Sequence, residues 1–198
     1  MRSPIYWHPF LYQAAIKLSF GRQLKARYFN LQKHIPANSN LLELCMGDAF
    51  LYLNYLKQKN INYTCVDVNT AFINSAKKKG INCLQMNVES EEIPKSDYIL
   101  MQGSLYHFIP HQKQIIQKLL DACNKELIIS ENIKNLGNHN SALKSYLGKI
   151  ISNAGYGQSK IKFTKSLLEE TFSDFKSRIK IWEELPDNNE IIIVLNKF

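Results

Sequence analysis

Glu43, Gly47 and Asp67 are the first residues of this 198-residue chain whose types and spacing could hold a ligand. The segment Leu42-Glu-Leu-Cys-Met-Gly-Asp-Ala-Phe50 closes one apolar run, and Asp67 closes the next, 24 residues after Glu43. Gly47 permits a tight turn and close approach of a ligand to the backbone. Cys45 and Ala49 are small enough to leave room on either side. A carboxylate in the place of Asp67 can accept hydrogen bonds from both hydroxyls of a ribose. A third run leads into Asn87, whose amide can pair with an adenine edge. Three candidate contacts from three consecutive run ends form an ordered series, which carries more weight than any one alone.

A second group could move a proton or seat an acceptor. His107 follows a fourth apolar run, and an imidazole titrates in the useful pH range. Its neighbour Tyr106 could orient an acceptor or stack on it. Glu131 and Asn132 end a fifth run and could bind an amine or hydroxyl. Tyr6, Trp7 and His8 could close over a substrate. Each has a plainer alternative. His107 could pack beside Phe108 at a helix start, and Tyr106 could belong to the core. Glu131 and Asn132 could cap the segment that follows, and the N-terminal aromatics could anchor an arm. Asp48 is explained by its place at a helix N-terminus.

These residues need a frame that brings the run ends together. From about residue 40, Leu41–Met46, Asn62–Val68, Ile81–Met86, Asp97–Met101 and Glu126–Ser130 are predicted strands. Phe50–Lys59, Thr70–Lys79, His111–Cys123, Ala142–Ala154 and Ser166–Phe172 are predicted helices between or after them. Ile179–Glu184 and Glu190–Asn196 flank Pro186–Asn189, which is turn chemistry. This alternation predicts an α/β fold, a doubly wound, mostly parallel seven-stranded sheet with helices on both faces. The last two runs have no crossover helix, so they should form an antiparallel hairpin at one edge. Residues 1–39 are predicted to be an N-terminal helical cap or lid, and residues 40–198 the domain that it covers. In such a sheet, ligands bind beyond the carboxyl ends of the strands, where strand order reverses.

Glu43-Leu-Cys-Met-Gly47-Asp-Ala49 resembles the first motif of the class I (Rossmann-like) S-adenosylmethionine-dependent methyltransferases, an acid followed by small residues at alternate positions. Glu43 matches the acid and Gly47 the central glycine, whereas Cys45 and Ala49 replace the two outer glycines. Asp67 matches the ribose-binding acid, and Asn87 stands where the family often has an aspartate near the adenine. Asp97-Tyr-Ile-Leu-Met-Gln-Gly-Ser-Leu-Tyr-His-Phe108 resembles the fourth-strand motif, and the likeness spans residues 40–198 with the closing hairpin. The resemblance implies S-adenosylmethionine as cofactor and S-adenosylhomocysteine as product. It implies cofactor contacts from Glu43, Cys45, Gly47, Asp67 with Val68, Asn87 with Val88, Gly103 and Ser104. Glu43 would lie near the methionine amino end or bond to the glycine loop. The expected acceptor is an oxygen or nitrogen of a small molecule, with Tyr106 and His107 at the reacting end. Tyr6, Trp7, Tyr106, His107 and Glu131 would line the substrate side.

Composition bounds these readings. The chain is 45% hydrophobic, 11% aromatic and 21% charged, which suits one folded domain. It lacks the apolar run that a transmembrane helix needs. His8, Pro9, Gln13 and Lys17 make the N-terminus a poor signal peptide, so a cytoplasmic location is expected. The four cysteines have no C-x-x-C spacing and read as buried, reduced thiols, and no metal-ligand cluster is evident. There is no P-loop pattern, no G-x-G-x-x-G and no N/D-P-P-Y/F after the fourth strand, which argues against nucleotide hydrolysis, hydride transfer and methylation of a base nitrogen.

The net charge is +8, and no acid precedes Glu43. That basic, aromatic N-terminal stretch could meet nucleic acid, the surface of a membrane as a peripheral contact, or an anionic substrate. A lid helix with solvated lysines is the preferred reading, because charge runs alone carry little weight. Two rival functions follow: an RNA methyltransferase, suggested by the charge, and a non-catalytic binding or scaffold protein on the same fold.

Overall fold

The computed structural model describes residues 6–21, 23–133, 161–186 and 189–198. The predicted helix Ala142–Ala154 lies outside them. Seven strands form one sheet: β1 (Asn40–Leu44), β2 (Asn62–Asp67), β3 (Asn82–Gln85), β4 (Ser96–Gln102), β5 (Cys123–Asn132), β6 (Ile179–Glu184) and β7 (Glu190–Asn196). Their order is β3-β2-β1-β4-β5-β7-β6. β1 to β5 are parallel, and β7 runs antiparallel to both β5 and β6. The doubly wound sheet with a closing hairpin is therefore present. The chain winds outward from β1 to β3, then returns to β4 on the other side of β1. That reversal sets the ends of β1 and β4 side by side, with Leu44 beside Met101.

β1, β4, β5 and β7 carry buried apolar runs because both of their faces are covered. Alternate residues part to opposite faces. Leu42, Leu44, Ile99, Met101, Leu127 and Ile129 join one core with Ile116, Leu119 and Leu120 of α4 (Gln112–Ala122) and Phe172 of α5 (Lys165–Phe172). Leu41, Leu100, Ile128 and Val194 join the other. There they meet Leu24, Tyr28 and Leu31 of α2 (Gln23–Leu31) and Phe72, Ile73 and Ala76 of α3 (Thr70–Lys78). Tyr12, Ile16 and Phe20 of α1 (Pro9–Phe20) pack against this second core.

Three expectations change in detail. Phe50–Lys59 is not a regular helix: Tyr52–Leu56 forms a wider π turn, and a 3-10 turn, Lys57–Lys59, follows it. Within it, Tyr52 stacks flat on Tyr63 of β2, with ring centroids 3.9 Å apart. β5 runs ten residues rather than the five of Glu126–Ser130, because its end through Asn132 is paired along β7. Of the four free cysteines, Cys65, Cys83 and Cys123 are buried, but Cys45 is only half-buried.

Candidate functional site at the ends of β1, β2, β4 and β5

Beyond β1 the chain turns sharply. Cys45, Gly47 and Ala49 have φ of 55°, 60° and 56°, so every second residue is left-handed. Gly47 N–H donates to Asp67 Oδ2 at 3.1 Å, and Asn69 N–H donates to Asp67 Oδ1 at 2.8 Å. Met46 N–H donates to the Val66 carbonyl at 3.3 Å. Asp67, itself buried, thus fastens the loop after β1 to the end of β2.

Glu43 is buried near the end of β1, and its Oε2 accepts from Tyr63 Oη at 2.5 Å. Burial pushes its carboxyl up to about 7; the tyrosine bond opposes this, while the charges of Asp48 and Asp67 add to it. This partner lies on β2 and differs from the glycine-loop contact implied by the resemblance.

The ends of β4 and β5 form the opposite wall. Gly103 is left-handed at φ 58°, and its N–H donates to the Ser130 carbonyl at 2.7 Å. Glu131, 1% exposed, accepts from Leu105 N–H at 2.5 Å. Burial pushes the Glu131 carboxyl up to about 7, against the backbone N–H groups of Leu105 and Ser104 and the charges of Lys162 and Arg27. Lys162 Nζ lies over the Tyr106 ring, 2.9 Å from its centroid. Burial pushes this ammonium down to about 7, against the pull of Glu131. The Tyr106 and His107 rings lie 3.9 Å apart. Burial, helped by the Lys162 charge, pushes His107 down to about 3. Burial also raises the Tyr106 phenol, with Tyr6, Glu131, Tyr12 and Cys45 adding to the effect. These groups therefore share one low-dielectric space.

The N-terminal segment roofs that space. The Tyr12 ring lies against the bare face of Gly47, where a Cβ would stand 2.9 Å from its Cε1. Tyr12 contacts Phe72 and Tyr6 at centroid distances of 5.1 and 5.7 Å. The Tyr6 carbonyl accepts from Asn69 Nδ2 at 2.9 Å. On the other side, Arg27 is buried, with Nε 2.9 and 2.8 Å from the two carboxylate oxygens of Glu190. Ser130 Oγ also donates to Glu190. Arg27 Nη2 would lie 3.2 Å from a Cβ on Gly103.

The structure brings Cys45, Gly47, Asp67, Gly103, Ser104, Tyr106, His107, Glu131 and Tyr6 to these adjoining strand ends. Others stand apart. Trp7 is 61% exposed. Asn87 is exposed and holds a turn, its Oδ1 accepting from Glu89 N–H at 3.0 Å. The Val88 side chain is in the core, and its carbonyl accepts from Lys118 Nζ at 2.7 Å. Val68 is half-buried, and its carbonyl accepts from Gln85 Nε2 at 3.5 Å. Sequence reasoning missed Tyr12, Arg27, Glu190 and Lys162 as site residues. Arg27 and Tyr12 carried a weak signal, a cation and an aromatic in an acid-free stretch.

No family model matches the chain, and no curated protein matches its sequence. Solved structures match its fold. A candidate methyltransferase from Haloferax volcanii, in complex with the Trm112 methyltransferase activator, is 7% identical with a TM-score of 0.71 and covers 100% of this chain and 99% of its own. Magnesium protoporphyrin IX methyltransferase from Synechocystis, with bound S-adenosylhomocysteine, is 14% identical with a TM-score of 0.64 over 93% and 86%. A [4+2]-cyclase is 13% identical with a TM-score of 0.58 over 82% and 60%. The fold is that of the class I S-adenosylmethionine-dependent methyltransferases.

Proposed function

We propose that the chain transfers a methyl group from S-adenosylmethionine to an oxygen or nitrogen of a small-molecule acceptor. The observation that carries this reading is the joint between the Gly47 N–H and the Asp67 carboxylate, set at the reversal of strand order. It presents a bare backbone face and a buried acid together, and Gly103 offers a second bare face after β4. Those features fit the cofactor. Asp67 would hold the ribose hydroxyls, Asn87 the adenine edge, and Val68 with the main chain of Val88 would border it. Glu43, Cys45, Gly103 and Ser104 would flank the methionine end. Residues 1–39 would be the lid and the rest of the chain the transferase domain. Tyr12 lies on the face of Gly47 that a ligand would use, so α1 must shift to admit it.

When bound, the cofactor supplies an activated methyl group on a sulfonium. The chain must position the acceptor, exclude water and take up the acceptor's proton. Tyr106, His107 and the roof of Tyr6 would seat the acceptor. The proton would go to Lys162 Nζ, since a base works best when its pKa lies near the working pH. His107 remains neutral but is a weak base at about 3, so it would serve as wall and hydrogen-bonding partner. Glu131 would hold the lysine and the Leu105 turn in place.

The test is calorimetric titration with S-adenosylmethionine and S-adenosylhomocysteine. Micromolar binding of both is expected. Binding of neither would overturn the reading. A second reading, a scaffold on the same fold that has no catalysis, is favoured by the Tyr12 ring, which covers the face of Gly47 that the cofactor would use. Cofactor binding with no transfer to aromatic, anionic or apolar acceptors would select it.

A further inference from the structure

Helix α1 is apolar on two opposite sides. Its inner side, Tyr12, Ala15, Ile16 and Phe20, faces the core. Its outer side continues the stripe Trp7, Phe10, Leu11, Ala14 and Leu18, at the spacing of one helix face. Trp7 is 61% exposed, Phe10 69% and Leu18 85%. Eight large apolar side chains are exposed among the described residues, and five of them are Trp7, Phe10, Leu11, Leu18 and Phe29 of α2. They are therefore concentrated rather than scattered, which marks an interaction surface. Lys17 is exposed on α1, and Lys25 and Lys33 are exposed on the helical turns that follow. Residues 1–42 contain six lysines and arginines and no acid.

We infer that the outer face of α1 docks on an anionic lipid bilayer. A bilayer offers both things that this stretch lacks: an apolar layer for Trp7, Phe10, Leu11 and Leu18, and negative headgroups for its exposed lysines. A second copy of the chain would bring lysines against lysines, with no acid in the stretch to receive them. A nucleic acid would satisfy the lysines and leave the leucines in water. At twelve residues α1 is about 18 Å long, too short to span a membrane, so it lies in the interface. The inner side of the same helix carries Tyr12, so docking acts on the element that roofs the site. This inference does not depend on methyl transfer.

The experiment is co-sedimentation of the full chain with vesicles of phosphatidylcholine alone, or of phosphatidylcholine and phosphatidylserine in a two-to-one ratio. The chain should pellet with the anionic vesicles, and the emission of Trp7 should shift to the blue. Trp7→Phe should remove that shift. Leu18→Glu and Lys17→Glu should each weaken partitioning by about tenfold or more, and their circular dichroism and melting should match the unaltered chain. Equal pelleting with neutral vesicles, no pelleting, or unchanged partitioning of both variants would overturn the inference. So would concentration-dependent dimerisation, or salt-sensitive RNA binding without vesicle binding, where Leu18→Glu abolishes the first or leaves the second unchanged.

Discussion

Asp67 has two tasks in this fold, and replacing it separates them. Its carboxylate accepts from Gly47 N–H at 3.1 Å and from Asn69 N–H at 2.8 Å. Asp67→Ala leaves two buried N–H groups without that acceptor. Each such loss costs about 1–3 kcal/mol, so the variant should lose about 2–6 kcal/mol. Against a total of about 5–15 kcal/mol, that is a large share. The sequence alone suggests that Asp67→Ala would remove cofactor binding and spare the fold; the geometry shows that the fold pays as well. Asp67→Asn keeps one acceptor oxygen and should lose about 1–3 kcal/mol. It also places an amide N–H where a carboxylate would meet the ribose hydroxyls, so binding should fall at least tenfold in a chain that stays folded. Urea unfolding measures the first effect, and calorimetric titration with S-adenosylmethionine the second. An unchanged urea midpoint for Asp67→Ala would refute the clamp. Unaltered binding by a folded Asp67→Asn would refute the ribose assignment.

Turnover should rise with pH through about 7 as Lys162 loses its proton. Lys162→Met should abolish that inflection and lower kcat by about a hundredfold or more, while His107→Gln should keep the inflection; its persistence in Lys162→Met would assign it to Glu131 instead. Glu43→Gln should change how stability depends on pH. The Glu43 carboxyl is raised from 4.5 to about 7 by burial, so between these values the folded state keeps a proton that the unfolded chain releases. Its contribution is complete below 4.5 and is lost as pH rises toward about 7, by up to about 1.4 kcal/mol per unit. Relative to the unaltered chain, Glu43→Gln should therefore be more stable at about pH 8 than at about pH 5, and parallel urea midpoints at the two pH values would contradict this.

The sheet was legible because its signals are local. β6 and β7 have the limits expected from the sequence, since a proline–asparagine turn separates two apolar runs. β1, β2 and β4 end within two residues of their expected ends, and those ends carry Cys45, Asp67 and Gly103. The roof was not legible in the same way. Arg27 and Glu190 are 163 residues apart, and nothing local marks either as the other's partner. Lys162 stands in an irregular stretch before α5, where no periodicity says which way a side chain turns. Its place over Tyr106 follows only once β5 and α5 are packed. Val88 shows the converse: its neighbour Asn87 reaches the surface, but an apolar side chain beside α4 is drawn into the core.

Cys45 and Ala49 replace glycine in the motif that the loop after β1 resembles, and a sequence alone allows the turn to have changed with them. The backbone shows otherwise. Both residues keep the left-handed φ that glycine adopts freely. An L side chain there costs about 1–2 kcal/mol, so the pair costs about 2–4 kcal/mol. Such strain persists only where the surroundings over-determine the chain. Here they do: Asp67 holds Gly47 N–H, the Val66 carbonyl holds Met46 N–H, and Ala49 is 1% exposed within the second core. At the outer positions a small side chain finds room. At the centre it does not, since any Cβ on Gly47 would stand 2.9 Å from the Tyr12 ring. The loop is thus shaped by its attachments rather than by its glycine content, and the one position that must present bare backbone is the one that remains glycine.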